Sequence, residues 1–318
     1  MRAAAAPVRG TKSAVAPKRR ASAAPAPAKA QAKATPAPAA AASVRAFGPG
    51  DVSRARRALK LVFGGWSWLN DPVFEGLEHV PAQGPALYVG NHTLLGVLDS
   101  PVMLLGLAEH KGVLVRGLGD RSHFKVPGWR DWMKAVGTVE GSRENCAELM
   151  RLGEQILVYP GGALEVFKRK GEQYRLLWKD RVGFARMAIA GRCPIVPFAA
   201  VGGDDQFDIV LDRDQILGTP LEKVFRRLGI REDQMGVYRG IGPTPIPRPQ
   251  RLYFKFGAPI ATAHFDGDAD NQHHCEALRD TAKASIESMI DELKALREAD
   301  PHRGLGVRLR RKLRRQSV

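Results

Sequence analysis

From residue 85 onward, short apolar runs alternate with segments of helical periodicity. The runs at 85–90, 112–117, 135–140, 155–160, 194–201 and 251–257 have the length of buried strands. Between and around them, 97–109, 143–152, 174–190 and 215–229 read as helices. The clearest periodicity lies in 275–298, where Leu278, Ala282, Ile286, Met289, Leu293 and Leu296 return every three or four residues. This alternation predicts an α/β fold, a layered domain with a mostly parallel or mixed sheet flanked by helices. In such a sheet, sites form at the C-terminal ends of strands. Asn91-His92, Gly137–Arg143, Pro160-Gly161-Gly162 and Gly202-Gly203 all fall at the ends of runs.

The two ends of the chain read differently. Residues 1–50 are rich in Ala, Pro and Lys and poor in large apolar side chains. Such a composition cannot offset the entropy of ordering, so a disordered basic tail is expected there, with the structured domain spanning 51–300. Within 51–70, Arg54, Arg56, Arg57 and Lys60 mix with Leu59, Leu61, Val62, Phe63, Trp66, Trp68 and Leu69. That pattern suits an interfacial helix at a membrane, or an ordinary helix packed on the core. Residues 301–318 form a basic amphipathic tail, with Leu305, Leu309 and Leu313 four apart among Arg308, Arg310, Arg311, Lys312, Arg314 and Arg315. It fits an anionic membrane surface; the other reading is a solvated tail.

Charge follows this division. The formal net charge is +16, and it resides in nine Lys/Arg of residues 1–50 and seven of 301–318, where acids are absent. Residues 51–300 hold 33 basic and 33 acidic side chains. The basicity therefore belongs to the ends, and nucleic acid is not an expected partner of the domain. A non-enzymatic role, binding an anionic polymer through the tails, stays as an alternative. Cys146, Cys193 and Cys275 show no paired spacing, which points to a reduced, cytoplasmic protein. His273-His274-Cys275 lacks a second ligand pair, so no metal site and no resident cofactor are expected. No run reaches the roughly 18–20 apolar residues that span a bilayer, which leaves peripheral association with the membrane.

Candidate chemistry centres on His92. It follows the apolar run 85–90 and precedes an apolar helix-like stretch that carries Asp99. A histidine at a helix start is kept neutral by the positive end of the helix dipole and can accept a proton. Its other reading is a helix cap without chemistry.

Four blocks stand in order: Gly90-Asn91-His92-Thr93-Leu94-Leu95-Gly96-Val97-Leu98-Asp99-Ser100-Pro101; Gly137-Thr138-Val139-Glu140-Gly141-Ser142-Arg143-Glu144-Asn145; Val158-Tyr159-Pro160-Gly161-Gly162-Ala163-Leu164-Glu165; and Cys193-Pro194-Ile195-Val196-Pro197-Phe198. Together they resemble the phospholipid/glycerol acyltransferase (PlsC-like) family over about residues 70–262. The likeness is strongest to its diacylglycerol acyltransferase-like and phytyl-ester-synthase-like branch. The resemblance implies transfer of a fatty acyl group from acyl-CoA or acyl carrier protein, as co-substrate, to the hydroxyl of a lipid acceptor. It casts His92 as general base, a role worth about 10²–10⁴-fold. Asp99 would be the acid that orients it, with Glu140 in reserve. Backbone N–H groups near Gly161-Gly162, or those at the helix start, would hold the oxyanion. Asn91, Thr93, Arg143, Pro160, Gly161, Gly162 and Glu165 would contact substrate, and Arg143 or Lys168-Arg169-Lys170 would meet the phosphates of CoA.

Two departures from the family pattern bear on this. Six residues separate His92 from Asp99 instead of four, and on a continuous helix a seven-residue offset places Cα atoms about 10 Å apart. A direct pairing therefore requires a turn at Thr93–Gly96 with the helix starting near Val97. Second, family members that bind phosphate typically read Phe-Pro-Glu-Gly-Thr-Arg in the third block, and here Gly161, Ala163 and Leu164 replace the Glu, Thr and Arg. Without that guanidinium, a neutral acceptor such as diacylglycerol or a long-chain alcohol is expected. Lysophospholipid or glycerol-phosphate acyl transfer is the alternative.

Overall fold

The computed structural model describes residues 44–96 and 98–316. Helix α1 (Pro49–Asn70) leads into β1 (Val73–Glu75) and β2 (Ala86–Gly90). There follow α2 (Ser100–His110), β3 (Val115–Gly119), α3 (Trp129–Ala135), β4 (Val139–Glu140), α4 (Arg143–Arg151) and β5 (Gln155–Val158). The short α5 (Ala163–Val166) and α6 (Gly183–Ala190) precede β6 (Ile195–Val201). An excursion then carries β7 (Asp208–Leu211), α7 (Arg213–Ile216), α8 (Pro220–Arg227) and β8 (Val237–Arg239). The chain returns through β9 (Tyr253–Phe256) and ends in α9 (Gln272–Ala299) and α10 (Leu305–Gln316).

Seven strands form one mixed sheet in the order β1-β9-β6-β2-β5-β3-β4. β6, β2, β5, β3 and β4 run parallel, and β9 pairs antiparallel to β6. β1 runs with β9. The central strands are apolar on both sides because each face is covered. Leu87, Val89 and Ile156 face a core built with α4, α6 and α9. Ala86, Tyr88 and Leu157 face a second core with α1 and α2. Because β1 and β9 are reversed, their starting residues lie at the end of the sheet where β2, β5 and β6 finish. The C-terminal end of α1 therefore arrives beside the strand ends that carry the candidate site.

Several expectations change here. The expected tail of residues 1–50 falls mostly outside the described residues, but Val44–Gly48 are part of the domain. The Phe47 N–H donates to Glu154 at 2.6 Å, and the Arg116 guanidinium lies 4.2 Å over the Phe47 ring. The domain boundary thus precedes Asp51. Helix α1 buries Ala55, Leu59 and Phe63 and leaves Leu61 87% and Trp68 45% exposed, so it both packs on the core and presents apolar surface. Residues 174–182 are irregular rather than helical, with Tyr174 and Lys179 at positive φ. The expected helix at 215–229 divides at Gly218-Thr219-Pro220, where Gly218 has φ 79° and Pro220 opens α8. The C-terminal tail docks through its basic side chains: Arg308 is buried, while Arg311 and Lys312 pair with Asp71.

Candidate active site

β2 ends at Gly90, and the two residues that follow are fixed by their backbones and neighbours. The Asn91 amide copies a strand ladder: its Nδ2 donates to the Ala200 carbonyl at 2.9 Å and its Oδ1 accepts the Ala200 N–H at 2.8 Å. His92 is held at both backbone groups. Its N–H donates to Glu165 Oε2 at 2.7 Å, and its carbonyl accepts from Lys168 Nζ at 2.8 Å. Lys168 pairs at 2.8 Å with Asp204, both side chains being buried. Asp204 in turn accepts the N–H groups of Leu94 at 2.6 Å and Tyr174 at 2.7 Å. An isolated buried charge would be costly, and here each oxygen and the ammonium are satisfied.

The imidazole stacks on Tyr159, with ring centroids 3.8 Å apart and planes 9° from parallel. Gly96 also crowds it, since a Cβ there would stand 2.2 Å from His92 Cε1. His92 Nδ1 is buried and has no hydrogen-bond partner among the described residues. Burial, helped by Lys168 and then by His123, depresses the His92 pKa to about 3. The ring is therefore neutral across the physiological range. The expected cause was a helix dipole, but α2 starts only at Ser100, so burial does this work instead.

The chain does turn at Thr93–Gly96: Gly96 N–H donates to the Thr93 carbonyl at 3.0 Å, and Leu95 and Gly96 have φ of 59° and 52°. That turn does not deliver Asp99 to the imidazole. The Asp99 carboxyl is buried, and burial pushes its pKa up to about 6 against an opposing hydrogen bond from Thr93. Its link to the ring is indirect. Ser100 Oγ contacts Asp99 Oδ1 at 3.4 Å and shares a 2.7 Å hydrogen bond with the Tyr159 hydroxyl. The reserve acid, Glu140, pairs instead with Arg121 at 2.5 Å.

Residues 71–201 match the family model described as Acyltransferase. These residues form an acyltransferase-family domain. It is 37% identical over 254 residues to phytyl ester synthase 2, chloroplastic, of Arabidopsis thaliana, covering 74% of this chain and 36% of that protein. Phytyl ester synthase 1, chloroplastic, of the same plant is 32% identical, covering 80% and 38%. The human "DGAT1/2-independent enzyme synthesizing storage lipids" is 34% identical, covering 68% and 60%. The chain thus spans little more than a third of the length of the two plant relatives. Among solved structures, the 1-acyl-sn-glycerophosphate (LPA) acyltransferase PlsC of Thermotoga maritima aligns with 75% of this chain and 79% of its own. Its TM-score is 0.45 and its identity 17%.

Within this acyltransferase domain, the residues expected to contact substrate separate into two groups. Asn91, Thr93 and Glu165 are buried framework. Thr93 packs so closely on Gly203 that a Cβ there would meet its side chain at 2.7 Å. Glu165 offers neither oxygen to a substrate, since Oε1 accepts the Leu177 N–H at 2.9 Å and Oε2 holds His92. Burial pushes its pKa up to about 7, opposed chiefly by the hydrogen bond from His92 N–H. Lys168 is likewise unavailable to CoA, and Arg169 is engaged by Glu172 and Asp214. Arg143 sits exposed at the first position of α4.

Pro160, Gly161 and Gly162 form the turn after β5. The Gly162 N–H is taken by the Tyr159 carbonyl at 3.1 Å, whereas the Gly161 N–H has no acceptor among the described residues. Gly161 has room for no side chain, since a Cβ would lie 2.1 Å from Glu165 Cδ. Arg181, which the sequence reading did not single out, donates to the carbonyls of Pro160 and Gly161 at 2.8 and 2.7 Å. Lys168 and Asp204 were also missed as a pair; the available signals were a lysine three residues after Glu165 and an acid directly after Gly202-Gly203.

Proposed function

We propose that this chain moves a fatty acyl group from a thioester, acyl-CoA or acyl carrier protein, to the hydroxyl of a lipid acceptor, with His92 as general base. The observation that carries the reading is a neutral imidazole with a buried, unpartnered Nδ1, held by its backbone between Glu165 and Lys168. In this mechanism His92 Nε2 removes the hydroxyl proton as the acceptor oxygen attacks the thioester carbonyl. The tetrahedral intermediate places its oxyanion toward the free N–H of Gly161. Collapse breaks the carbon–sulfur bond, and the leaving thiolate takes from His92 the proton that came from the acceptor hydroxyl.

A neutral acceptor, diacylglycerol or a long-chain alcohol, is favoured by Leu164 in place of the family's arginine and by the full use of Lys168 and Arg169 within the fold. The names of the phytyl ester synthases and of the storage-lipid enzyme agree with a neutral product. Peripheral membrane association is supported by the exposed Leu61 and Trp68 on α1 and by Arg310 and Arg314, which the docking of α10 leaves exposed. No helix among the described residues is long and apolar enough to cross a membrane.

The test is a product screen with purified protein, one labelled acyl-CoA, and a panel of diacylglycerol, a long-chain alcohol and a lysophospholipid. A neutral ester is expected with wild type and not with His92→Ala. Acylation of the lysophospholipid alone, or undiminished turnover by His92→Ala, contradicts the reading.

A further inference from the structure

Beside the point where the chain enters β9 lies a cavity of about 360 Å³, lined by Arg248, Arg251, Arg297 and Arg303 together with Pro249 and Gly304. It is at the same end of the sheet as His92, because β9 runs antiparallel to β6 and starts where β6 finishes. The carboxylates around it are fewer than the cations. Arg248 pairs with Asp208 at 2.7 Å, and Arg297 with Asp205 at 2.8 Å. Arg251 reaches Asp300 at 2.6 Å and Asp71 at 3.1 Å. Asp71 also takes Arg311 and Lys312. Arg303 has no carboxylate partner among the described residues.

Behind the cavity wall, Arg308 is 1% exposed, and among the described residues its guanidinium meets only the carbonyls of Arg303, Leu69 and Pro249. With Arg239, which also pairs with Asp208, eight basic side chains therefore surround four carboxylates, Asp71, Asp205, Asp208 and Asp300. The Nε atoms of Arg248, Arg308 and Arg311 are buried with no partner among the described residues. Arg308 is the fully buried cation, and its charge adds to the excess of positive charge around the cavity, while Arg303 is exposed on the cavity wall with its donors open to an anion. A guanidinium presents a planar fork that matches the oxygens of phosphate.

We propose that this cavity is a phosphate-ester binding site, with the ligand's phosphate held by Arg303 and Arg248. It shares no lining residue with the His92 site described above, and it stands whether or not His92 acts as a base. Two sources carry this chemistry: a phospholipid headgroup, presented where α10 meets the exposed end of α1, or the phosphates of a CoA thioester.

Inorganic phosphate is the first probe, titrated calorimetrically into the full chain at constant ionic strength. Saturable binding is expected, weakened at least tenfold in Arg303→Gln, whose side chain makes no bond that the fold needs. Thermal melting confirms that the variant is folded. Flotation with phosphatidylcholine vesicles, with and without phosphatidate, and the KM for acyl-CoA then distinguish the source. A lipid headgroup site loses phosphatidate-dependent flotation in Arg303→Gln and keeps its KM. A CoA site raises that KM about tenfold and leaves flotation unchanged. Absence of saturable phosphate binding to wild type, or equal binding by Arg303→Gln, overturns the proposal.

Discussion

The Glu165 carboxylate grips His92 by the backbone, accepting its N–H at 2.7 Å, and ties it to Leu177, whose N–H it accepts at 2.9 Å. Both acceptors are needed, and glutamine supplies only one. Glu165→Gln should leave a buried N–H facing an amide NH₂, a loss of about 1–3 kcal/mol. Because Glu165 acts through His92, kcat should fall while the KM for acyl donor stays near wild type. Thermal melting and steady-state kinetics check this; an unchanged kcat would remove Glu165 from the positioning of the base.

Gly96 sets the second constraint on the same residue. Alanine there would combine a φ of 52° with a Cβ 2.2 Å from the imidazole. The ring must move, and a displacement of about 1 Å at a reacting group costs on the order of 10²-fold. Gly96→Ala should therefore lose activity out of proportion to its loss of stability. Parallel rate and melting measurements decide; activity within a few-fold of wild type would show that the ring does not need this position.

Acid titration gives a direct view of the histidine. With its pKa near 3, the His92 imidazole should show no titration between pH 5 and 8 in nitrogen-resolved NMR, where an unperturbed histidine shifts around 6.5. The sign for stability follows. The unfolded chain takes up a proton near pH 6.5 and the native His92 does not, so its contribution is lost as pH falls below 6.5. Glu165 acts oppositely, because the native group holds its proton to about pH 7 and so loses stability as pH rises from 4.5. Asp99, raised to about 6, acts as Glu165 does, so the His92 contribution is read as the difference between His92→Gln and wild type: the variant should gain stability relative to wild type as pH falls from 6.5 to 4. An unchanged difference across that window would place the effect elsewhere.

Breaking the Lys168–Asp204 pair leaves one buried charge without its partner. Lys168→Met should cost about 3–5 kcal/mol. Adding Asp204→Asn should recover only part of this, because the N–H groups of Leu94 and Tyr174 still require the acceptors that Asp204 provides. Denaturant unfolding of both variants measures it; full recovery in the double variant would mean that those N–H groups do not depend on Asp204.

Asp99 and Tyr159 meet at Ser100, so they should act as one unit. Asp99→Asn and Tyr159→Phe are each expected to lower kcat/KM, and the double variant should be no worse than the poorer single one. Additive losses would show that Asp99 influences the reaction by a route independent of the Tyr159 hydroxyl.

The central strands were readable because both of their faces are covered, which leaves unbroken apolar runs such as Ile195–Val201. β1, β7 and β8 were not, being three or four residues long and only partly buried. At 174–182 a helical pattern gave way to tertiary demands: Leu177 donates its N–H to Glu165, and Trp178 is buried in the core. In the site, the order of the four blocks pointed to His92, Asp99 and Gly161. What holds His92 was hidden, because Lys168 finds Asp204 across 36 residues of sequence and no local spacing encodes that pairing.

The excursion between β6 and β9 leaves at Val201 and returns at Tyr253, and these two residues are directly paired across the sheet. It rests on the turn after His92 through Leu94, Phe207 and Ile209, with Leu95, Leu98 and Tyr238 around them. Residues 202–252 are thus a module on a closed stem. Lengthening such a loop costs little, since closure entropy grows only with the logarithm of its length. Asp204 at its start must stay, since it holds Lys168 and Leu94, but beyond it one wall of the site can be exchanged, shortened or extended while the clamp on His92 and the sheet beneath it remain in place.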